Sequence, residues 1–390
     1  MRRLICPYCF ELFKHREIAF RCLNPSPSRC PPEDDHELAR YQDLAHSPKL
    51  NRVFVAPSKM GKAPQMALCS CGTRTIRQVC PHCHNSLPSQ YGETSSKTIA
   101  LIGSKEAGKS HYIAVLINEL NNRIGKKFKA SLNAMDDRTI KRYKERFRRY
   151  IYEDRVTIPP TDTSRVDKNY PLIYRLSLEA RRFGLFSALQ ASSLVFFDTA
   201  GEDLNDIDVM STETKYLANS DGILFLLDPL QIPAVRHQLN GVPLPGENTD
   251  PQEIIGRAAD LIRQFRGRKP TDKIKTPCAV AFSKIDAVRP IFEPGSPVQR
   301  SSNHDGFLDL NDVQQVNDSM RAHLAQWVGT GFDSFLENSF ENFSYFGLSA
   351  LGASPDVGGR ISMGAAPFRI EDPLLWILYQ LNIISGRRSK

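Results

Sequence analysis

Apolar positions along this 390-residue chain fall into two patterns. The first is the short unbroken run bounded by polar or turn-forming residues, as in a strand buried on both faces. Such runs occupy residues 98–102, 193–197, 222–227, 278–282 and 343–348, and a further strand is predicted over 170–178. The second pattern is helical spacing. Ile113, Val115, Leu116 and Leu120 recur within residues 111–120, and Ile254, Ile255, Ala258, Leu261 and Ile262 within 251–266. Further helices are predicted over 312–328 and 373–384. Strands alternating with helices predict an α/β fold with a six-stranded, mainly parallel, doubly wound sheet, whose ligand binds at the carboxyl ends of the strands.

Those strand ends carry the chemistry. The run 98–102 leads into Gly103, Ser104, Lys105, Glu106, Ala107, Gly108, Lys109 and Ser110, then His111. This is a complete G-x-x-x-x-G-K-S pattern between a predicted strand and a predicted helix. Backbone N–H groups at such a turn point at an anion, and glycine lets the backbone curl around phosphate. Lys109 would reach the β- and γ-phosphates, and the Ser110 hydroxyl would ligate Mg²⁺. The run 193–197 ends in Asp198, Thr199, Ala200, Gly201 and Glu202. Asp198 would hold Mg²⁺ through water, the Gly201 N–H would approach the γ-phosphate, and Glu202 would orient water or accept its proton. After 278–282 come Ser283, Lys284, Ile285 and Asp286. Asp286 would accept two hydrogen bonds from guanine while the Lys284 stem packs over the ring. The run 343–348 leads to Ser349, Ala350 and Leu351, placed to offer a backbone N–H to the guanine carbonyl. A Mg²⁺-binding threonine belongs just ahead of the strand at 170–178, where Thr161 and Thr163 are the candidates and the choice stays open.

These four elements, in this order and each at a strand's end, resemble the G1, G3, G4 and G5 motifs of the translation-factor-related GTPases, over roughly residues 97–385. Ser283 departs from the family's usual Asn or Thr: it keeps a hydroxyl and loses the amide's reach. With a cysteine-rich segment ahead and a third motif reading Asp-Thr-Ala-Gly-Glu-Asp, the chain more narrowly resembles the type 2 bacterial double-GTPase proteins of conflict (anti-phage) gene clusters. The resemblance implies a Ras-like P-loop GTPase fold and a Mg²⁺-dependent switch that binds GTP and GDP. It also implies slow hydrolysis without a partner, and a bacterial defence role beside a partner GTPase. One alternative is a nucleic-acid sensor whose zinc module is gated by nucleotide. Another is a P-loop ATPase or kinase, against which residues 283–286 and 349–351 argue.

The first ninety-odd residues are a different object. Cys6, Cys9, Cys22, Cys30, Cys69, Cys71, Cys80 and Cys83 are eight of the nine cysteines. C-x-x-C and C-x-C spacings suit tetrahedral Zn²⁺, and two ions would use all eight thiolates. Sequential sites would take the first four and then the last four; a crossed arrangement is the alternative, with His15, His82 or His84 able to replace a thiolate. Disulfides would need an oxidising compartment. No leader with an apolar core and cleavage site is expected from Met1-Arg2-Arg3-Leu4-Ile5-Cys6, so the expectation is zinc in a cytoplasmic protein. This segment has too few aliphatic residues to fold by burial alone, so metal is expected to stabilise it. Polar, turn-rich residues 88–96 set a boundary between a zinc module, 1–95, and a nucleotide domain, 96–390.

Charge adds one feature. The net formal charge of +8 is concentrated in Arg138, Lys141, Arg142, Lys144, Arg146, Arg148 and Arg149, within a basic helical insertion at about 126–169. Such a patch, at 138–149, would suit nucleic acid, an acidic surface or a partner protein. Tyr143, Phe147 and Tyr150 interleave at helical spacing, as a packed face would. No apolar run approaches the ~18 residues needed to cross a bilayer.

Overall fold

The computed structural model describes residues 3–89, 91–92, 95–160, 170–182, 186–197, 212–239, 250–356 and 358–388. At its centre lies a seven-stranded sheet. Its strands are β1 (Ser95–Ile102), β2 (Ala130–Ala134), β3 (Leu172–Arg182), β4 (Phe186–Phe196), β5 (Gly222–Leu227), β6 (Cys278–Phe282) and β7 (Phe343–Gly347). The spatial order is β2-β3-β4-β1-β5-β6-β7. From β4 to β7 every pairing is parallel, while β2 and β3 run antiparallel to their neighbours. The six expected strands are all present. The seventh, β2, corrects the expectation: it is a short edge strand with one large apolar residue, Leu132, too weak a pattern to read. The pairing of β3 and β4 runs from Leu172↔Phe196 out to Arg182↔Phe186, so both strands outlast the apolar runs that announced them.

Alternate residues of each strand pack on opposite faces. Ile99, Leu101, Leu224, Leu226, Ala279 and Ala281 face one core with α1 (Lys109–Asn121). Ala100, Ile102, Ile223, Phe225, Val280 and Phe282 face the other, with α3 (Pro251–Phe265) and α4 (Leu310–Trp327), while α2 (Thr212–Asn219) carries Tyr216 and Leu217 into it. The closing helix, α5 (Asp372–Gln380), joins the first face. Burial on both sides explains why β5 and β6 read as unbroken apolar runs.

The basic insertion forms a helix over Asp137–Arg142 that continues as a π-helix over Tyr143–Asp154. Its aromatic face packs: Phe147 is buried, Tyr143 stacks on it, and the Tyr143 hydroxyl donates to the Ala114 carbonyl at 3.0 Å. Lys141, Lys144, Arg146, Arg148 and Arg149 lie on the exposed side, where Arg148 pairs with Glu153 and Arg149 with Asp154.

The cysteine-rich segment shares a core with the sheet. Leu4, Tyr8, Phe10, Phe13, Phe20 and Tyr91 lie in the same apolar cluster as Ala100 and Val195. Phe10 is fully buried, its ring 5.3 Å from Phe197 and 4.8 Å from Tyr216. No helix among the described residues is long and apolar enough to cross a membrane.

Candidate nucleotide site and cysteine clusters

Because β1, β5, β6 and β7 are parallel, the residues that follow them arrive at one edge of the sheet. Gly103 leaves β1 so close to β5 that a Cβ there would collide with the Leu226 carbonyl. Gly108, with φ of 85°, caps the start of α1 in the left-handed region that favours glycine. The helix therefore opens with its free N–H groups at the loop. Lys109 is buried and its ammonium spans the loop, donating to the carbonyls of Gly103 and Ser104 at 2.9 Å each. A cavity of about 790 Å³ opens here. Residues 105–112, 157–160, 348–351 and 353–355 line it, with Ser283, Lys284 and Asp286. The phosphate loop, residues 283, 284 and 286, and residues 348–351 thus converge on one cavity of a size ordinary for a small ligand.

Ser283 turns inward: its hydroxyl and its N–H both donate to the Leu227 carbonyl, at 3.1 and 2.8 Å. Lys284, with φ of 54°, pairs with Asp228 at 2.5 Å. Ser349 donates its N–H to the Phe368 carbonyl, and its hydroxyl accepts from the Gly352 N–H. His111 lines the cavity and accepts the Ile158 N–H on Nε2 at 3.1 Å. Burial, with the Lys284 charge nearby, lowers its pKa to about 4. Residues 157–158, just ahead of the candidate threonines, are thereby tied to the phosphate loop. They are also tied to the segment that follows the lining residues 353–355, because Val156 bridges Arg360 and the Thr157 N–H donates to the Gly359 carbonyl. Thr161, Thr163, Asp198, Gly201 and Glu202 lie outside the described residues, so Ser110 is the one expected Mg²⁺ ligand that the structure places.

Sequence reasoning missed two residues at this edge, Asp228 and Gln231. The signal for the first was an aspartate closing an apolar run; nothing in the pattern marked the second.

The eight N-terminal cysteines gather into two sets, Cys6, Cys9, Cys80 and Cys83, and Cys22, Cys30, Cys69 and Cys71. This is the crossed arrangement, not the sequential one. Sulfur atoms approach at 3.7 Å (Cys6–Cys83), 3.8 Å (Cys9–Cys80), 3.6 Å (Cys22–Cys71) and 4.0 Å (Cys30–Cys69). Tetrahedral zinc with bonds of about 2.3 Å requires sulfurs about 3.8 Å apart, so both sets fit. Backbone N–H groups of Tyr8 and His82 approach the Cys6 and Cys80 sulfurs at 3.4 and 3.3 Å, the second layer a thiolate site requires. Hydrogen bonds from Thr73 hold the Cys71 thiol down to about 6, favouring the thiolate. Among the described residues no histidine joins either set: His15 accepts from Ala63, His82 packs edge-on to Phe13, and His84 pairs with Asp35. Cys278, the ninth cysteine, is fully buried in β6 and serves as packing. In a third grouping, His304, Asp312 and Asp372, both carboxylates are already paired with the buried Arg369.

A model of the Double-GTPase 2 family matches residues 97–354. The chain belongs to this family. Among curated proteins it is similar to SaeC of Mycolicibacterium smegmatis, to which a role in ESX-1 scaffolding and assembly is ascribed, with 28% identity over 324 residues, 77% of this chain and 79% of SaeC. Among solved structures it is similar to the Arl6 (BBS3) small GTPase of Trypanosoma brucei with bound GppNp: TM-score 0.31, 11% identity, 75% of this chain and 100% of that one. It is also similar to the GTP-bound GTPase-like domain of S. cerevisiae Ski7: TM-score 0.32, 15% identity, 75% of this chain and 51% of that one. Family membership and sheet order together establish the Ras-like α/β GTPase architecture, and they support GTP binding and hydrolysis in general.

Proposed function

We propose that the chain is a Mg²⁺-dependent GTP switch whose nucleotide state is read by a partner protein. The observation that carries this is the convergence of the phosphate loop, Lys284, Asp286 and residues 349–351 on one cavity. Guanine offers a ring N–H and an amine to a carboxylate, and Asp286 is the carboxylate at that wall. Ser110 would hold Mg²⁺ together with Asp198. The metal would neutralise charge developing on the phosphates, and Lys109 would do the same from the loop. The two cysteine sets would hold zinc and keep the N-terminal module folded against the sheet. A partner fits the family, whose name pairs two GTPases, and it fits the scaffolding role ascribed to SaeC, to which 77% of this chain is similar. The defence setting is implied by the resemblance alone.

Base competition tests the reading. GTP should displace a labelled nucleotide far better than ATP. Asp286→Asn should weaken GTP about ten- to a hundredfold and improve xanthosine triphosphate, because the amide donates to the xanthine carbonyl that replaces guanine's amine. Wild-type protein indifferent to the base would leave a P-loop NTPase of another specificity.

A further inference from the structure

Gln231 is a buried amide outside the four motifs. It closes the turn Pro229–Gln231 after β5, is 2% exposed, and donates through Nε2 to the carbonyl of Lys105 at 2.8 Å. Lys105 belongs to the phosphate loop, 126 residues away in sequence. At the other end of the same turn, the Asp228 side chain is fully buried. One of its oxygens accepts from the Lys284 ammonium at 2.5 Å, and the other accepts from the Leu230 N–H at 2.9 Å. Four consecutive residues therefore hold the phosphate loop by a backbone carbonyl and the base loop by a side chain. Ser283 makes no such link, since both its hydroxyl and its N–H go to Leu227.

We propose that residues 228–231 are a positioning bridge between the phosphate-binding and base-binding loops, with Gln231 supplying the cross-link that Ser283 does not. The inference rests on the guanine-nucleotide reading of the cavity and goes beyond it. A ligand seated at both ends demands a fixed separation between the two loops. An untethered loop spends part of its time elsewhere, and the apparent affinity falls by the fraction of time it is out of place. The bridge hangs from the end of β5, a strand buried on every residue, so its own position is rigid. Its two anchors act on different parts of the ligand: Gln231 on the phosphates, Asp228 on the base.

The test separates those parts in the full-length protein. Gln231→Met keeps the length and removes the donor; Gln231→Glu keeps the shape and turns an acceptor toward the Lys105 carbonyl. Both should lower GDP affinity about tenfold or more, measured by titration calorimetry. Guanosine, which engages the base end alone, should bind as it does to wild type when followed by ligand-observed NMR. Asp228→Asn, which loosens Lys284 instead, should weaken guanosine and GDP together. Equal loss of guanosine and GDP in the Gln231 variants would reduce the residue to a packing role and overturn the proposal, as would unchanged GDP affinity. Wild-type protein that binds neither ligand would instead overturn the nucleotide reading on which the proposal stands.

Discussion

His111 shows how much one side chain controls at this site. Its Nε2 is an acceptor for the Ile158 N–H, and an acceptor nitrogen cannot take a proton without giving up that bond. Burial and then the Lys284 charge lower its pKa from about 6.5 to about 4. The unfolded chain therefore binds the proton more readily than the folded one. The stabilisation is fully present above pH 6.5 and is lost as pH falls from 6.5 through 4. About 1–3 kcal/mol should disappear across that window. His111→Gln keeps an acceptor and removes the titration. Denaturant unfolding at pH 7 and 4.5 should show a smaller loss in the variant than in wild type. Parallel pH profiles for the two proteins would mean that some other group carries the dependence.

At the scale of elements, a strand exposes hydrogen-bonding groups wherever its neighbour diverges. β1 pairs with β4 through Thr98↔Val195 and with β5 from Ile99↔Gly222 onward. On the β4 side, the Ile99 carbonyl and the Leu101 N–H would be left buried and unmet. The Tyr216 hydroxyl on α2 takes both, donating to Ile99 at 2.7 Å and accepting from Leu101 at 3.0 Å. Tyr216→Phe removes one atom from a fully packed ring and should cost about 1–3 kcal/mol, read from equilibrium unfolding. A loss below a few tenths would mean that water or a shift of α2 satisfies the strand. This contact also marks where legibility ends. Strands β5 and β6 were readable residue for residue, because burial on both faces writes an unbroken apolar run. The phosphate loop and the residues 283–286 and 349–351 were readable because each follows such a run. The edge strand β2 was not, with Leu132 its single large apolar side chain. The cross-links from Tyr216, Asp228 and Gln231 depend on which strands become neighbours, and spacing along the chain does not encode that.

On the scale of the whole molecule, the two cysteine sets differ in what they hold. Residue counting alone allowed a sequential pairing, but folding brings the knuckle at Cys6 and Cys9 against the one at Cys80 and Cys83. That site sits in the core it shares with the sheet, one residue from Phe10 and its ring contacts with Phe197 and Tyr216. The Asn219 amide donates to the Phe10 carbonyl at 2.9 Å, and Lys215 pairs with Glu11 at 2.6 Å, so α2 grips the same knuckle. The other site, at Cys22, Cys30, Cys69 and Cys71, forms a small cluster of its own with Phe54. Purified protein should carry about two zinc ions per chain. Binding energy at such sites is folding energy, so losing a ligand unfolds whatever the site organises. Cys80→Ser should therefore lower the melting temperature of the whole chain and weaken nucleotide binding with it, because freeing Phe10 opens the core beneath α2. Cys69→Ser should release one zinc and loosen the outer part of the module while the nucleotide domain melts close to wild type. Metal content, thermal melts and nucleotide affinity measured on the two variants decide it: equal damage from both would mean that the module is one cooperative unit, and no damage from Cys80→Ser would mean that the sheet holds its face without the knuckle.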